Sequence, residues 1–508
     1  MALASVHGLV LSGVSGQLVR VEVDVAQGLP TVGVVGLPDA SVGESRWRAR
    51  SALASIGAAW PNRRVTISLS PAEVRKVGAG LDLPIAVAVL KASDQLPDVD
   101  LGDIAFVGEL GLDGQVRPAR GALACALAAR RAGIGRIVVA PSCAREVALL
   151  TGLGVVPAGH LATVVAVLRE GSDGDPLPAQ QDPDEAAAST ADLRDVRGHL
   201  HARFALEVAA AGQHHLAMVG PPGVGKTLLA ERLPGLLPDL EGEAVVEVAA
   251  IHSVAAVPRP AGTQARPPYR APHHSASSAA LLGTVHGYRV SPGAVTLAHR
   301  GVLFMDEAPE FSRPSLEGLR QPLESGVVSI NRSGWSGVLP GRFQLVLAAN
   351  PCPCGLRSGT GEGCSCTPVA VRRYASRLSG PFMDRIDVRL SLQRPAAAEL
   401  AGGDADSSAV VRARVAAARR RASERFAGRS WQTNAGIPAG ELRREWLPDA
   451  GGIELLNSLE RGSANLRGPD RVLRLAWTLA DLAGRPRPGR DDVAAAMSLR
   501  GASTTWAA

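Results

Sequence analysis

The stretch HLAMVGPPGVGKTLLAERL, His215 to Leu233, decides how the surrounding chain must fold. Its centre, Gly220, Pro221, Pro222, Gly223, Val224, Gly225, Lys226 and Thr227, satisfies the phosphate-loop spacing G-x-x-x-x-G-K-T. HLAMV reads as a short apolar strand and TLLAERL as the start of a helix. The glycine-rich turn between them would offer backbone N–H groups and a helix N-terminus to phosphate. Lys226 is independent support. Among 54 Lys and Arg residues only Lys76, Lys91 and Lys226 are lysines, so a chain that otherwise uses arginine keeps a compact ammonium where the β- and γ-phosphates would lie. Thr227 is expected to ligate Mg2+. Together these features imply ATP or GTP binding at the C-terminal edge of an α/β sheet.

A partner strand follows in GVLFMDE, Gly301 to Glu307, whose apolar run delivers Asp306 and Glu307 to that same edge. Asp306 can hold Mg2+ through water, and Glu307 can orient or activate the attacking water. An acidic pair ending a strand is often only a solvated turn. A phosphate loop upstream turns the balance toward hydrolysis, which requires such a carboxylate.

Working outward, 508 residues are enough for about three domains. Residues 1–170 alternate β-branched runs (VRVEVDV, TVGVVG, RVTISLS, RIVVA) with Ala- and Arg-rich helical stretches and read as one α/β domain. Residues 171–192 are polar, acidic and Pro/Ala-rich, a linker. Residues 193–395 resume the α/β alternation, and 396–508 lack strand-like runs and read as helical. The longest apolar runs, such as LPIAVAVL, are too short to span a membrane, and the N-terminus has no basic leader, so a cytoplasmic location is expected. A net charge of +6 permits nucleic-acid contact without requiring it. With 3% aromatic residues there are few rings for base stacking, so any DNA would be held mainly by its backbone.

The phosphate loop, GVLFMDEAPEF, AANPCPCG and SGPFMDRIDVRL together resemble the magnesium-chelatase-like AAA+ ATPases, most closely the YifB/ComM family, over nearly the whole chain. The resemblance implies an α/β multidomain protein: an N-terminal Lon-protease-like (ribosomal S5 domain 2-like) domain, an AAA+ core and a C-terminal helical lid. It implies that Asn350, ending QLVLAAN, is the sensor-1 amide, that Arg385 in FMDRID is an arginine finger reaching a neighbouring subunit, and that Arg467 is the sensor-2 arginine, with Arg471 the weaker candidate on the same helix face. It also implies a hexameric ring that moves DNA, as a branch-migration helicase does. Two departures fall in the insertion between phosphate loop and Asp306, which in such proteins faces the ring's pore: Ala294 replaces a carboxylate, and Thr284, Val285 and His286 break a glycine run. In the first domain, matching to Lon puts Gly80 where the nucleophilic serine would be and Cys125 where its lysine would be, so no peptidase activity is expected and a scaffold or DNA-contact ring is the alternative role.

Four of the six cysteines, Cys352, Cys354, Cys364 and Cys366, follow Asn350 as two Cys-x-Cys pairs. Four thiolates can enclose a structural Zn2+; free thiols or a redox-labile pair are the alternatives. The histidine pairs His214–His215 and His273–His274 read as packing and surface groups, because neighbours on a strand face opposite ways. Val411 to Arg429 reads as a basic helix with either a solvated face or a DNA or subunit contact. The leading expectation is therefore a DNA-directed ATPase using ATP and Mg2+. The alternatives are the ATPase subunit of a magnesium-chelatase-type complex, from which the first domain and the cysteine cluster distinguish this chain, and a nucleotide-gated scaffold, against which Glu307 and Arg385 speak.

Overall fold

The computed structural model describes residues 2–177, 191–257, 265–286, 289–332, 335–357, 363–400, 405–462 and 467–501. Most of the expected linker, residues 178–190, and residues 358–362 between the cysteine pairs lie outside them.

The apolar N-terminus is itself a strand, Ala2–Ser12, paired antiparallel with Ser15–Ala26 from Ala2 opposite Val25 to Ser12 opposite Ser15. These two lie at the centre of a seven-stranded sheet. Val19, Val21, Val23 and Val25 alternate into one core, where helices Ala40–Ser55 and Asp82–Ala92 cover them. On the opposite face Leu9, Ala105, Ile137 and Val139 meet helix Ala122–Arg131.

The phosphate-loop strand, Leu216–Val219, lies between Gln344–Ala349 and Val388–Ser391 in a five-stranded sheet completed by Val302–Met305 and Tyr269–Arg270. All four pairings are parallel. Its strands are uninterrupted apolar runs because both faces are covered. Leu216, Met218, Phe304, Val346 and Ala348 pack toward Val411, Val415, Leu473 and Trp477 of the C-terminal helices. Ala217, Leu303, Met305, Leu345 and Leu347 turn to the other core. That second core is continuous with the first domain, since helix Ala122–Arg131 packs on helix Glu243–Ala255. The contact is reinforced by Arg130 to Glu243, Arg120 to the Val254 carbonyl, and Ser253 Oγ to Glu146 at 3.0 Å. Among the described residues after Ser407, the long elements are all helices, with Ser408–Arg425 and Arg467–Leu482 against the sheet. No helix among the described residues is long and apolar enough to cross a membrane.

Candidate functional site

Strand direction brings Gly220–Thr227, Asp306–Glu307 and Asn350 to one edge, because three parallel strands end there side by side. Gly223 and Gly225 take φ of +74° and +94°, a backbone open to glycine and costly for other residues; Gly225 caps helix Lys226–Leu236. Gly220 answers a different constraint, since a Cβ there would lie 2.7 Å from the Leu392 carbonyl oxygen. Lys226 Nζ donates to the carbonyls of Gly220 (2.6 Å) and Pro221 (2.9 Å) and to Asn350 Oδ1 (3.0 Å). All three acceptors are neutral oxygens. Burial lowers the Lys226 pKa, and the nearby charges of Asp306 and Glu307 oppose that shift. An ammonium held this way, beside a nest of backbone N–H groups, fits a polyphosphate.

Thr227 Oγ1 donates to Asp306 Oδ2 at 2.8 Å, so the hydroxyl and carboxylate expected to share Mg2+ are adjacent. The Glu307 N–H donates to Asp306 Oδ1 at 2.9 Å, and Glu307 takes the left-handed conformation at φ +49°. Its carboxylate also has an unexpected partner: His274 Nδ1 lies 3.1 Å from Glu307 Oε2. His273 and His274 do not face opposite ways as strand neighbours would. The pair follows the strand rather than lying in it, and the two rings approach to 4.0 Å instead of pointing apart. His214 and His215 do pack inward. His214, fully buried, bonds Asp387 and Thr478, and His215 Nδ1 accepts the Leu345 N–H at 3.0 Å.

Arg385 and Arg467 are at the other end of the sheet. Val388 pairs with Leu216 and Ser391 with Val219, so residues before Val388 lie at the N-terminal edge while the phosphate loop leaves the C-terminal edge. The four-residue strand between is about 10 Å long. There Arg385 is buried against Glu324, and Arg467, exposed, comes within 3.8 Å of the same carboxylate. Arg471, at the same edge, has a different partner: it is paired to fully buried Asp387 at 2.6 Å.

Three family models match. "Magnesium chelatase, subunit ChlI" covers residues 192–400, "Subunit ChlI of Mg-chelatase" 21–142, and "Magnesium chelatase, subunit ChlI C-terminal" 405–500. An uncharacterized protein of Mycobacterium tuberculosis strain H37Rv is 46% identical over 98% of this chain and 99% of its own length. Protein YifB of Escherichia coli K12 is 41% identical over 95% and 94%, and competence protein ComM of Haemophilus influenzae 39% identical over 98% of each. The chain belongs to the magnesium-chelatase-like YifB/ComM family.

That family is of AAA+ ATPase type, and the parallel sheet agrees with it. Because a chelatase model matches residues 21–142, the first domain no longer distinguishes this YifB/ComM chain from chelatase subunits. In that domain Cys125 is 1% exposed, with its thiol pushed up to about 12 by burial, and Gly80 offers no side chain. The basic helix is largely engaged within its own chain: Arg414 pairs with Glu207 and Asp406, Arg425 with Asp481, and Arg412, Arg419 and Arg421 donate to backbone carbonyls. The four cysteines of the pairs converge: one Sγ from each lies within 4.8 Å of the others.

Proposed function

We propose that the protein is a cytoplasmic, ring-forming ATPase, a homohexamer, that hydrolyses ATP to remodel or translocate on DNA. The observation that carries this is the separation of Arg385 and Arg467 from their own phosphate loop by the length of the sheet. A nucleotide site whose arginines must come from a second copy is incomplete in one chain, and a head-to-tail interface that supplies them closes naturally into a ring.

In this reading the Gly220–Thr227 loop and Lys226 hold the phosphates, and Glu307 takes a proton from the attacking water. Asn350, tied to Lys226, positions that water, while the neighbour's Arg385 and Arg467 spread positive charge over the transferring phosphoryl oxygens. Thr227 and Asp306 would hold Mg2+, which would supply charge neutralisation to the polyphosphate. Cys352, Cys354, Cys364 and Cys366 would hold one structural Zn2+. DNA as the partner is supported by the likeness to a competence protein and by the net charge of +6. A second reading, an ATPase subunit driving metal insertion into a porphyrin, is favoured by the descriptions of all three matching family models.

Phosphate release decides between them. Branched or single-stranded DNA should raise turnover, and Glu307→Gln should abolish it, with a loss of at least ~100-fold. Turnover indifferent to every DNA but raised by a porphyrin-bearing chelatase partner would establish the second reading instead.

A further inference from the structure

We propose that the four-cysteine centre is a zinc clamp on the phosphate loop, so that metal occupancy and nucleotide affinity are linked. This deepens the nucleotide-site reading and rests on it. Cys352 Sγ lies 3.3 Å from Cys354 Sγ and 3.7 Å from Cys364 Sγ, with Cys354 to Cys364 at 3.6 Å. Four sulfurs at the tetrahedral corners of a Zn2+ bound at ~2.3 Å are about 3.8 Å apart. A disulfide needs about 2.05 Å, and all four cysteines are free thiols. The Sγ of Cys366 completes the set within 4.8 Å of the other three.

The linkage comes from what the centre touches. Cys352 is fully buried two residues after Asn350, whose Oδ1 accepts from Lys226. Gly355, at φ +78°, donates its N–H to the Cys352 carbonyl and turns the backbone so tightly over the phosphate loop that a Cβ would lie 2.7 Å from Pro222 Cγ and Cδ. On the other side Cys366 leads directly into helix Pro368–Ala375 through its cap Thr367. Arg377 beyond that helix reaches Glu310 and the Pro309 carbonyl, just past Glu307. A metal that fixes the four sulfurs therefore fixes the segment that bears on Pro222 and Asn350. Its loss frees that segment, and binding of phosphate must then order it again.

Linkage is reciprocal, which supplies the test. Full-length protein purified under reducing conditions without chelator should contain one zinc per chain, and replacement by Co2+ should give the absorption of a tetrahedral thiolate site. Removing zinc should weaken binding of a non-hydrolysable ATP analogue about tenfold. In chelator competition, saturating analogue should raise zinc affinity by the same factor, a measurement that needs no metal-free protein. Absence of stoichiometric zinc together with no cobalt spectrum would overturn the centre. Stoichiometric zinc with equal analogue affinity in both forms, and zinc affinity indifferent to the analogue, would overturn the clamp while leaving the ATPase reading intact. Failure of both forms to bind any nucleotide would overturn the phosphate-loop reading and the linkage with it.

Discussion

Arg385 is ion-paired with Glu324 at the edge of the sheet opposite the phosphate loop of its own chain. If Arg385 acts on a neighbour's nucleotide, the defect in Arg385→Ala and that in Lys226→Ala belong to different partners in one interface. Each variant alone should lose at least ~1,000-fold in turnover. Mixed in equal amounts they should regain about a quarter of wild-type activity, because random assembly pairs an intact loop with an intact arginine at one interface in four. Phosphate release from the mixture measures this, and an inactive mixture of co-assembled chains would refute action in trans.

His274 contacts the carboxylate expected to serve as general base, at 3.1 Å from Glu307 Oε2. Glu307 has an unusual backbone conformation, so a second contact that fixes its side chain should matter for the chemical step more than for binding. His274→Ala is expected to lower kcat by roughly 10- to 100-fold with KM for ATP nearly unchanged. A rise in KM at constant kcat would mean that His274 contributes to nucleotide binding instead.

The parts of the site that were legible in the sequence are those whose chemistry is local: a glycine-rich turn with its lysine, and an acidic pair at the tip of an apolar run. Glu324 and His274 were not legible, because each meets its partner only through tertiary contact and neither belongs to a spaced motif. The strand rule misread His273 and His274 because it assumed a strand where the chain has already left the sheet. Arg419 shows the same limit for charge. Its place in a basic run suggests an exposed face, whereas its guanidinium is folded onto the Ala210 carbonyl. The strands themselves were readable in both domains, as alternation in Ser15–Ala26 and as continuous apolar runs in the doubly covered second sheet.

Burial lowers His215 from 6.5 to about 4, and its Nδ1 accepts the Leu345 N–H only while unprotonated. In the unfolded chain the ring would take up a proton near pH 6.5. Stability from this group is therefore complete above pH 6.5 and is lost progressively as pH falls toward 4, by up to about 3 kcal/mol. Denaturant unfolding at pH 7.5, 6 and 5 should show the decline. His215→Asn should flatten it over this window, and an unchanged slope would exclude His215 as the source.

Asp387 joins the sheet to the C-terminal helices. Fully buried, it accepts from Arg471 at 2.6 Å, from the His215 N–H at 3.2 Å and from His214 at 3.3 Å. Those partners, Arg471 foremost, hold its carboxyl well below the usual range despite burial. Asp387→Asn leaves Arg471 without its counter-charge and should cost about 3–5 kcal/mol in unfolding free energy. A loss below about 1 kcal/mol would mean that water or another carboxylate replaces the pair.

Cys125 is the residue on which any peptidase chemistry in the first domain would have to depend, and its surroundings disfavour reaction. It is enclosed in the core between the two domains, where burial and then Cys143 and Glu146 raise its thiol to about 12; burial and Glu146 raise Cys143 to about 11. The thiolate, the reactive form, is then absent at neutral pH. A thiol reagent applied to zinc-depleted native protein should modify the Cys352–Cys366 cluster while Cys125 and Cys143 react only on denaturation, and an unfolded labelled substrate should survive with ATP present. ATP-dependent cleavage abolished by Cys125→Ala would reverse the assignment, because it would require a thiolate and an access path that the packing excludes.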